Sequence, residues 1–152
     1  MIIQSIELNN FRNYENLQIS FDEGTNILFG DNAQGKTNIL EAAYLSGTTK
    51  SHKGSKDKEM IRFGTNEAHL RTMVLKNGKQ YQIDMHLKHN RSKGIAVNKI
   101  PMKKASELFG ILNIVKEKPD YVFSGINYGY NSGTDIQYSC LLYTSPSPRD
   151  RG

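Results

Sequence analysis

At 152 residues the chain is long enough for one domain with a core, or two very small ones. A single cysteine, Cys140, excludes an internal disulfide and fits a reducing compartment. No apolar run approaches the ~20 residues of a membrane span, and Met1-Ile2-Ile3 leads into mixed polar sequence rather than a signal peptide, so a cytoplasmic protein with no membrane partner is expected.

The net charge of +5 is unevenly spread. Residues 1–49 hold 2 basic and 6 acidic side chains, whereas residues 50–104 hold 14 basic and 4 acidic, a net of +10. A basic middle behind an acidic leader suits a polyanionic partner on one side of the molecule, and equally a solvated lysine-rich surface.

Taken in chain order, Ile2, Ile3, Ile6 and Leu8 predict a first strand with imperfect alternation, and Leu17, Ile19 and Phe21 a second. Asp22-Glu23-Gly24 is a turn, and 25–29 is a short apolar run of the kind that forms a buried strand. Residues 30–35 are polar and bounded by glycines. From Lys36, the positions Ile39, Leu40, Ala43 and Tyr44 fall at helical spacing, which predicts a helix over 36–46 ended by Gly47. Residues 48–60 are basic and loop-like. Ala68, Leu70, Thr72 and Val74 alternate, as do Tyr81, Ile83, Met85 and Leu87, with Asn77-Gly78 between them as a hairpin turn. A strand at 95–97, a turn at Asn98-Lys99, a short helix near 103–109 and an apolar run at 111–115 follow. Residues 116–133 are rich in Gly, Asn and Tyr, and 140–152 are rich in Ser, Pro and Arg without periodicity, so this tail is expected to be unstructured. The four histidines, His52, His69, His86 and His89, show no metal-ligand spacing.

Gly30-Asp31-Asn32-Ala33-Gln34-Gly35-Lys36-Thr37 matches G-x-x-x-x-G-K-[ST] in full, between a predicted strand and a predicted amphipathic helix. The glycines let successive backbone N–H groups turn toward phosphates, and the helix N-terminus adds its partial positive charge. Lys36 is placed to reach the β- and γ-phosphates of ATP, and the Thr37 hydroxyl to ligate Mg²⁺.

The neighbours of this loop narrow the reading. Leu8-Asn9-Asn10-Phe11-Arg12-Asn13-Tyr14, then Phe21-Asp22-Glu23-Gly24 with Asn26, then Asn32 through Asn38 to Glu41-Ala42, resemble the RecF family, a relative of SMC and ABC ATPases. Ser51-His52-Lys53 is similar to a Ser-His-Arg stretch of that family. The resemblance covers residues 1–115. It implies an α/β P-loop NTPase of the ABC/SMC-head type, here the N-terminal part of lobe I, incomplete, with mixed β structure around the P-loop helix and a disordered C-terminal tail. It further implies an ATP-binding and DNA-binding segment of a recombinational DNA repair and replication protein. Its partners would be gapped DNA or single/double-strand junctions, a second copy in an ATP-dependent homodimer, and other recombination mediators. Arg12 and Asn13, with Asn38, fall where the superfamily contacts nucleotide; a strand-end turn is the alternative role for the first two. On charge alone, Lys50, Lys53, Lys56, Lys58 and Arg62 are candidates for DNA phosphate contacts. A basic DNA-binding module with a vestigial P-loop is the other reading of the same residues.

An ABC-type site also draws on a signature motif and a Walker B carboxylate, and no apolar run ending in adjacent acidic residues follows Val115. No catalytic residue is assigned, and this chain is expected not to hydrolyse ATP. Residues 116–139, including Pro119-Asp120 and Ser124-Gly125-Ile126-Asn127, resemble the SurE nucleotidase family, in which Asn127 would match a metal ligand. That family's paired aspartates are absent, and one Asn does not hold a hard divalent cation, so a SurE-like phosphatase is not expected to be active. Residues 140–152 resemble no protein family and read as a translated sequencing adapter. The expected organisation is therefore three pieces joined in one chimeric chain: 1–115, 116–139 and 140–152.

Overall fold

The computed structural model describes residues 1–30, 35–111, 123–124 and 140–143. Its main feature is a six-stranded antiparallel sheet in the order β2-β1-β4-β5-β6-β7, formed by β1 (Ile2–Phe11), β2 (Tyr14–Ser20), β4 (Glu67–Lys76), β5 (Lys79–Lys88), β6 (Arg91–Val97) and β7 (Ile100–Pro101). A second sheet joins β3 (Thr25–Leu28) to β9 (Cys140–Tyr143) and β8 (Phe123–Ser124). One helix, α1 (Lys36–Thr48), packs against β4 and β5. None of the described helices is long and apolar enough to cross a membrane.

Alternation in the sequence becomes burial in the sheet. Ala68, Leu70, Thr72 and Val74 of β4 and Ile83, Met85 and Leu87 of β5 all face inward and are buried. The imperfect alternation of β1 has a physical cause. A register shift lies between Ile3 and Ser5, and the extra residue lets Ile3, Ile6 and Leu8 all point into the core. The apolar positions of α1, Ile39, Leu40, Ala42, Ala43 and Leu45, close that core from above. Thr72 is the one polar side chain in its row, and it meets the Ser46 hydroxyl of α1 at 2.6 Å. Both hydroxyls are fully buried, so this contact, with the bond from Ser46 to the Ala42 carbonyl, satisfies groups that would otherwise be costly to desolvate.

The Asn77-Gly78 turn forms as predicted, with both residues at positive φ (51° and 72°), the geometry of a two-residue turn matched to strand twist. Asn98 and Lys99 repeat it between β6 and β7, at φ 50° and 67°.

Four expectations are corrected. The helix does not stop at Gly47. That glycine lies buried within α1, and the left-handed end falls on Thr49 (φ 62°), whose N–H returns to the Leu45 carbonyl. The run 25–29, expected to form a buried strand, is half exposed: Ile27 of β3 is 64% and Phe29 beyond it 87% accessible, and among the described residues β3 has only β9 as a ladder neighbour. Residues 48–60 are not loop throughout. Asp57–Glu59 form a 3₁₀ turn, and Met60 and Ile61 beyond it are buried, tied to β1 by Arg12 N–H to Met60 O and Arg62 N–H to Asn10 O, both 2.8 Å. Finally, Cys140–Tyr143 of the expected unstructured tail forms β9, pairing antiparallel with β3. A Cys-Leu-Leu-Tyr run has good strand propensity, and β3 offers it an unpaired edge. The short helix near 103–109 is present as a 3₁₀ helix, Ala105–Gly110. Residues 144–152, the Val115–Lys116 junction, the apolar run after Ile111 and Asn127 lie outside the described residues.

Candidate nucleotide site and the basic groove beside it

The β1–β2 turn delivers Arg12 and Asn13 to the start of α1. Gly35 sits immediately before the helix at φ 90° and is buried against that turn. A Cβ at Gly35 would fall 2.6 Å from Asn13 Oδ1 and 2.7 Å from the Tyr14 hydroxyl, so this approach requires glycine on both conformational and steric grounds. Asn38, in the first turn of α1, donates to Asn13 Oδ1 at 2.8 Å. The helix start has no side-chain cap, and the Asn38 and Ile39 N–H groups both return to the Gly35 carbonyl, at 2.8 and 3.2 Å. Lys36 Nζ donates to the Gly30 carbonyl, which draws the two ends of the loop together. Thr37 is exposed beside it. Asp31, Asn32, Ala33 and Gln34 lie outside the described residues.

Behind the loop is a charge cluster that sequence spacing does not reveal. Glu41 is fully buried on α1, yet Arg12 reaches it with a two-pronged contact, Nε to Oε2 at 2.8 Å and Nη2 to Oε1 at 2.7 Å. Ser51 Oγ donates to Oε1 at 2.5 Å, and Lys53 Nζ lies 3.6 Å from Oε2. Burial by itself would raise the Glu41 carboxyl; the bonds from Arg12 and Ser51 and the charge of Lys53 outweigh it and hold the group below the ordinary carboxylate range. The rest of the Arg12 guanidinium is spent on Ser55 Oγ (2.7 Å) and the Glu59 carbonyl (2.8 Å). Arg12 therefore does more than turn a strand: it pins the 51–59 segment and α1 together from its place beside the phosphate loop.

Of the basic side chains considered for DNA, Lys53 turns toward the helix start, with Nζ 3.2 Å from Asn38 Oδ1. Lys53, Lys58 and Arg62 share one open groove with Arg12, Asn13 and Asn38. Candidates for nucleotide and for DNA contact thus line one surface. Arg62 lies 3.6 Å from Glu15. Lys50 and Lys56 are exposed and do not line that groove. His52 stands edge-on to Tyr44, and burial, ahead of its charged neighbours, pulls it below the usual histidine range.

Two of the four histidines, which show no metal-ligand constellation in the sequence, come together in the fold: His69 and His86. The β4–β5 register places them directly opposite each other, with rings stacked at 3.8 Å. Seventeen positions of separation carry no spacing signal; only the position of the Asn77-Gly78 turn, counted outward along both strands, could have found the pair. Burial first, then His86, holds His69 below the usual histidine range.

The profile of the AAA domain family matches residues 5–136. Over 120 residues the chain is 76% identical to the DNA replication and repair protein RecF of Agathobacter rectalis and 62% identical to that of Lachnospira eligens, in each case covering 79% of this chain and 33% of the relative. The chain thus spans about a third of the length of these curated relatives. Among solved structures, the recombination mediator protein RecF with ATP superimposes with a TM-score of 0.69 at 34% identity, over 72% of this chain and 31% of that one. An SMC head bound to the C-winged helix domain of ScpA gives 0.66 at 21% identity, over 74% and 40%, a likeness of fold. The AAA-domain match runs across most of the segment that resembles SurE, and none of these relatives supports that alternative. On the glycine-lysine motif, the antiparallel sheet beside it and these matches together, the chain belongs to the AAA domain family, is similar to RecF over 120 residues, and has the fold of an SMC head.

Proposed function

We propose that this segment binds ATP at residues 30–38 and DNA along the adjoining basic groove, as part of a RecF-like replication and repair protein. The observation that carries the nucleotide half is the start of α1: a helix N-terminus without a side-chain cap, introduced by a left-handed Gly35, with Lys36 Nζ on the Gly30 carbonyl. An oxyanion of a triphosphate fits there, because a helix N-terminus favours negative charge and a phosphate oxygen is a stronger acceptor for an ammonium than a carbonyl is. Gly30 through Gly35 would supply backbone N–H groups, Thr37 a hydroxyl for Mg²⁺, and Asn38, Asn13 and Arg12 the flank of the site. Magnesium would supply charge neutralisation between the phosphates when bound. We assign binding, and no catalytic residue, to this site. ATP-driven pairing with a second copy, contact with other recombination mediators, recognition of gapped or junction DNA and a cytoplasmic location belong to the same proposal. They rest on the resemblance to the RecF family and not on any contact in this chain.

The test of the nucleotide half is equilibrium binding of ATP to the wild-type chain and to Lys36→Ala. A vestigial loop in a simple DNA-binding module would give the two the same affinity. For the groove, Lys53, Lys58 and Arg62 together predict salt-sensitive, sequence-independent binding. Three phosphate contacts correspond to a loss of roughly 40-fold in affinity between about 50 and about 200 mM salt. Fluorescence anisotropy with a labelled duplex checks this, and a flat salt dependence would remove the electrostatic account.

A further inference from the structure

The outer face of the β4–β5 hairpin carries a second constellation, far in character from the phosphate loop. Glu67 and His69 are two residues apart on β4 and so share one face, and His86 of β5 stands opposite His69 in the register. This is the face away from the core, since the intervening Ala68, Leu70, Met85 and Leu87 are the buried ones. His86 Nε2 lies 2.9 Å from Glu67 Oε2, and His69 Nε2 lies 4.0 Å from Glu67 Oε1. One ligand atom from each of the three residues falls within 4.8 Å of the others. Tetrahedral coordination with zinc–ligand bonds of about 2.0–2.1 Å sets ligand atoms roughly 3.3 Å apart. The observed separations bracket that spacing, so small side-chain rotations on a fixed backbone suffice.

The surroundings leave room for an ion. On β6, Gly94 stands opposite His86, where even a Cβ would come 3.9 Å from the His86 Cβ, and the absence of a side chain keeps that flank open. Both histidines and Gly94 line one surface cleft. The next carboxylate along the row, Asp84, is already engaged by Arg71 at 2.7 Å and Gln82 at 2.6 Å, so it does not compete. Two imidazoles with a single carboxylate favour a borderline transition metal over the hard, all-oxygen coordination of Mg²⁺ or Ca²⁺.

We propose that Glu67, His69 and His86 bind a divalent transition-metal ion of the zinc class on the outer face of the β4–β5 hairpin, clamping the two strands and leaving the fourth position open. The proposal is independent of nucleotide binding. It is tested on the full 152-residue chain carrying Cys140→Ser, so that the thiol does not compete for metal. Zn²⁺ titrated against a chromophoric chelator should report one equivalent bound. In the same titration the ring signals of His69 and His86 should shift together while those of His52 and His89 stay. His69→Asn and His86→Asn should each weaken Zn²⁺ by about 100-fold, and Glu67→Gln by about tenfold, with His89→Asn unchanged. These side chains face solvent, so the backbone amide spectrum of each variant should match the parent. Co²⁺ should give visible absorption bands in the parent that both His→Asn variants lose. Absence of one-equivalent binding in the parent would overturn the proposal. So would affinity that survives either His→Asn change, or ring shifts confined to His52 or His89.

Discussion

Replacing Arg12 by alanine is expected to destabilise the chain by about 3–5 kcal/mol, more than any other single change near the phosphate loop. The magnitude comes from what the substitution leaves behind. Glu41 is fully buried, and its carboxylate would keep only Ser51 and the more distant Lys53 after losing a two-pronged guanidinium at 2.7 and 2.8 Å. Arg12→Lys restores the charge without the fork, and should recover only part of the loss. Urea unfolding of the three proteins measures this directly. The pH dependence has a definite sign. Glu41 is held below the ordinary glutamate value in the folded chain, so its contribution is fully present above that ordinary value, about pH 4.3, and is lost as pH falls through the depressed one. The stability gap between wild type and Glu41→Gln should therefore be widest near neutrality and close in acid. A loss below about 1 kcal/mol for Arg12→Ala would place this pair among exposed ion pairs of little consequence.

Gly35→Ala is expected to abolish ATP binding while costing about 1–3 kcal/mol of stability. The new Cβ would sit 2.6–2.8 Å from three side-chain atoms of Asn13 and Tyr14 at a backbone φ of 90°. Relief requires pushing Asn13 off Asn38 Nδ2 or moving the start of α1, and either change disturbs the helix N-terminus proposed to meet phosphate. Gly24→Ala is the matched control: its φ is 97°, but nothing lies within 4 Å of the added methyl. It should cost stability and leave ATP binding intact. Equal ATP affinity for Gly35→Ala and wild type would show that the close approach of the β1–β2 turn is irrelevant to the site.

Much of this architecture is legible in the chain because it is written in local terms. The hairpin follows from Asn77-Gly78 and two alternating runs, and β3 and α1 from the apolar run and the helical spacing on either side of residues 30–35. What escapes is what depends on register and on distant partners. Arg12 and Glu41 are 29 positions apart and meet only because the β1–β2 turn folds onto α1. His69 and His86 become neighbours only once the hairpin register is counted out. The burial of Met60 and Ile61 is invisible within a basic, loop-like stretch, since two apolar residues carry no period. The β3 run reads as a buried strand from its composition, but among the described residues it has β9 alone as a ladder neighbour, and Ile27 is exposed.

The central claim is that residues 30–38 cradle the phosphates of ATP through Lys36 and the start of α1. Backbone amide shifts recorded during titration with ATP and Mg²⁺ test it most directly, on the wild-type chain and on Lys36→Ala. The predicted result is saturable movement centred on Gly30 and on Gly35, Lys36, Thr37 and Asn38 in the wild type, with affinity reduced about tenfold or more in the variant. Equal affinity in the two proteins, or wild-type shifts that leave these amides untouched, would contradict it.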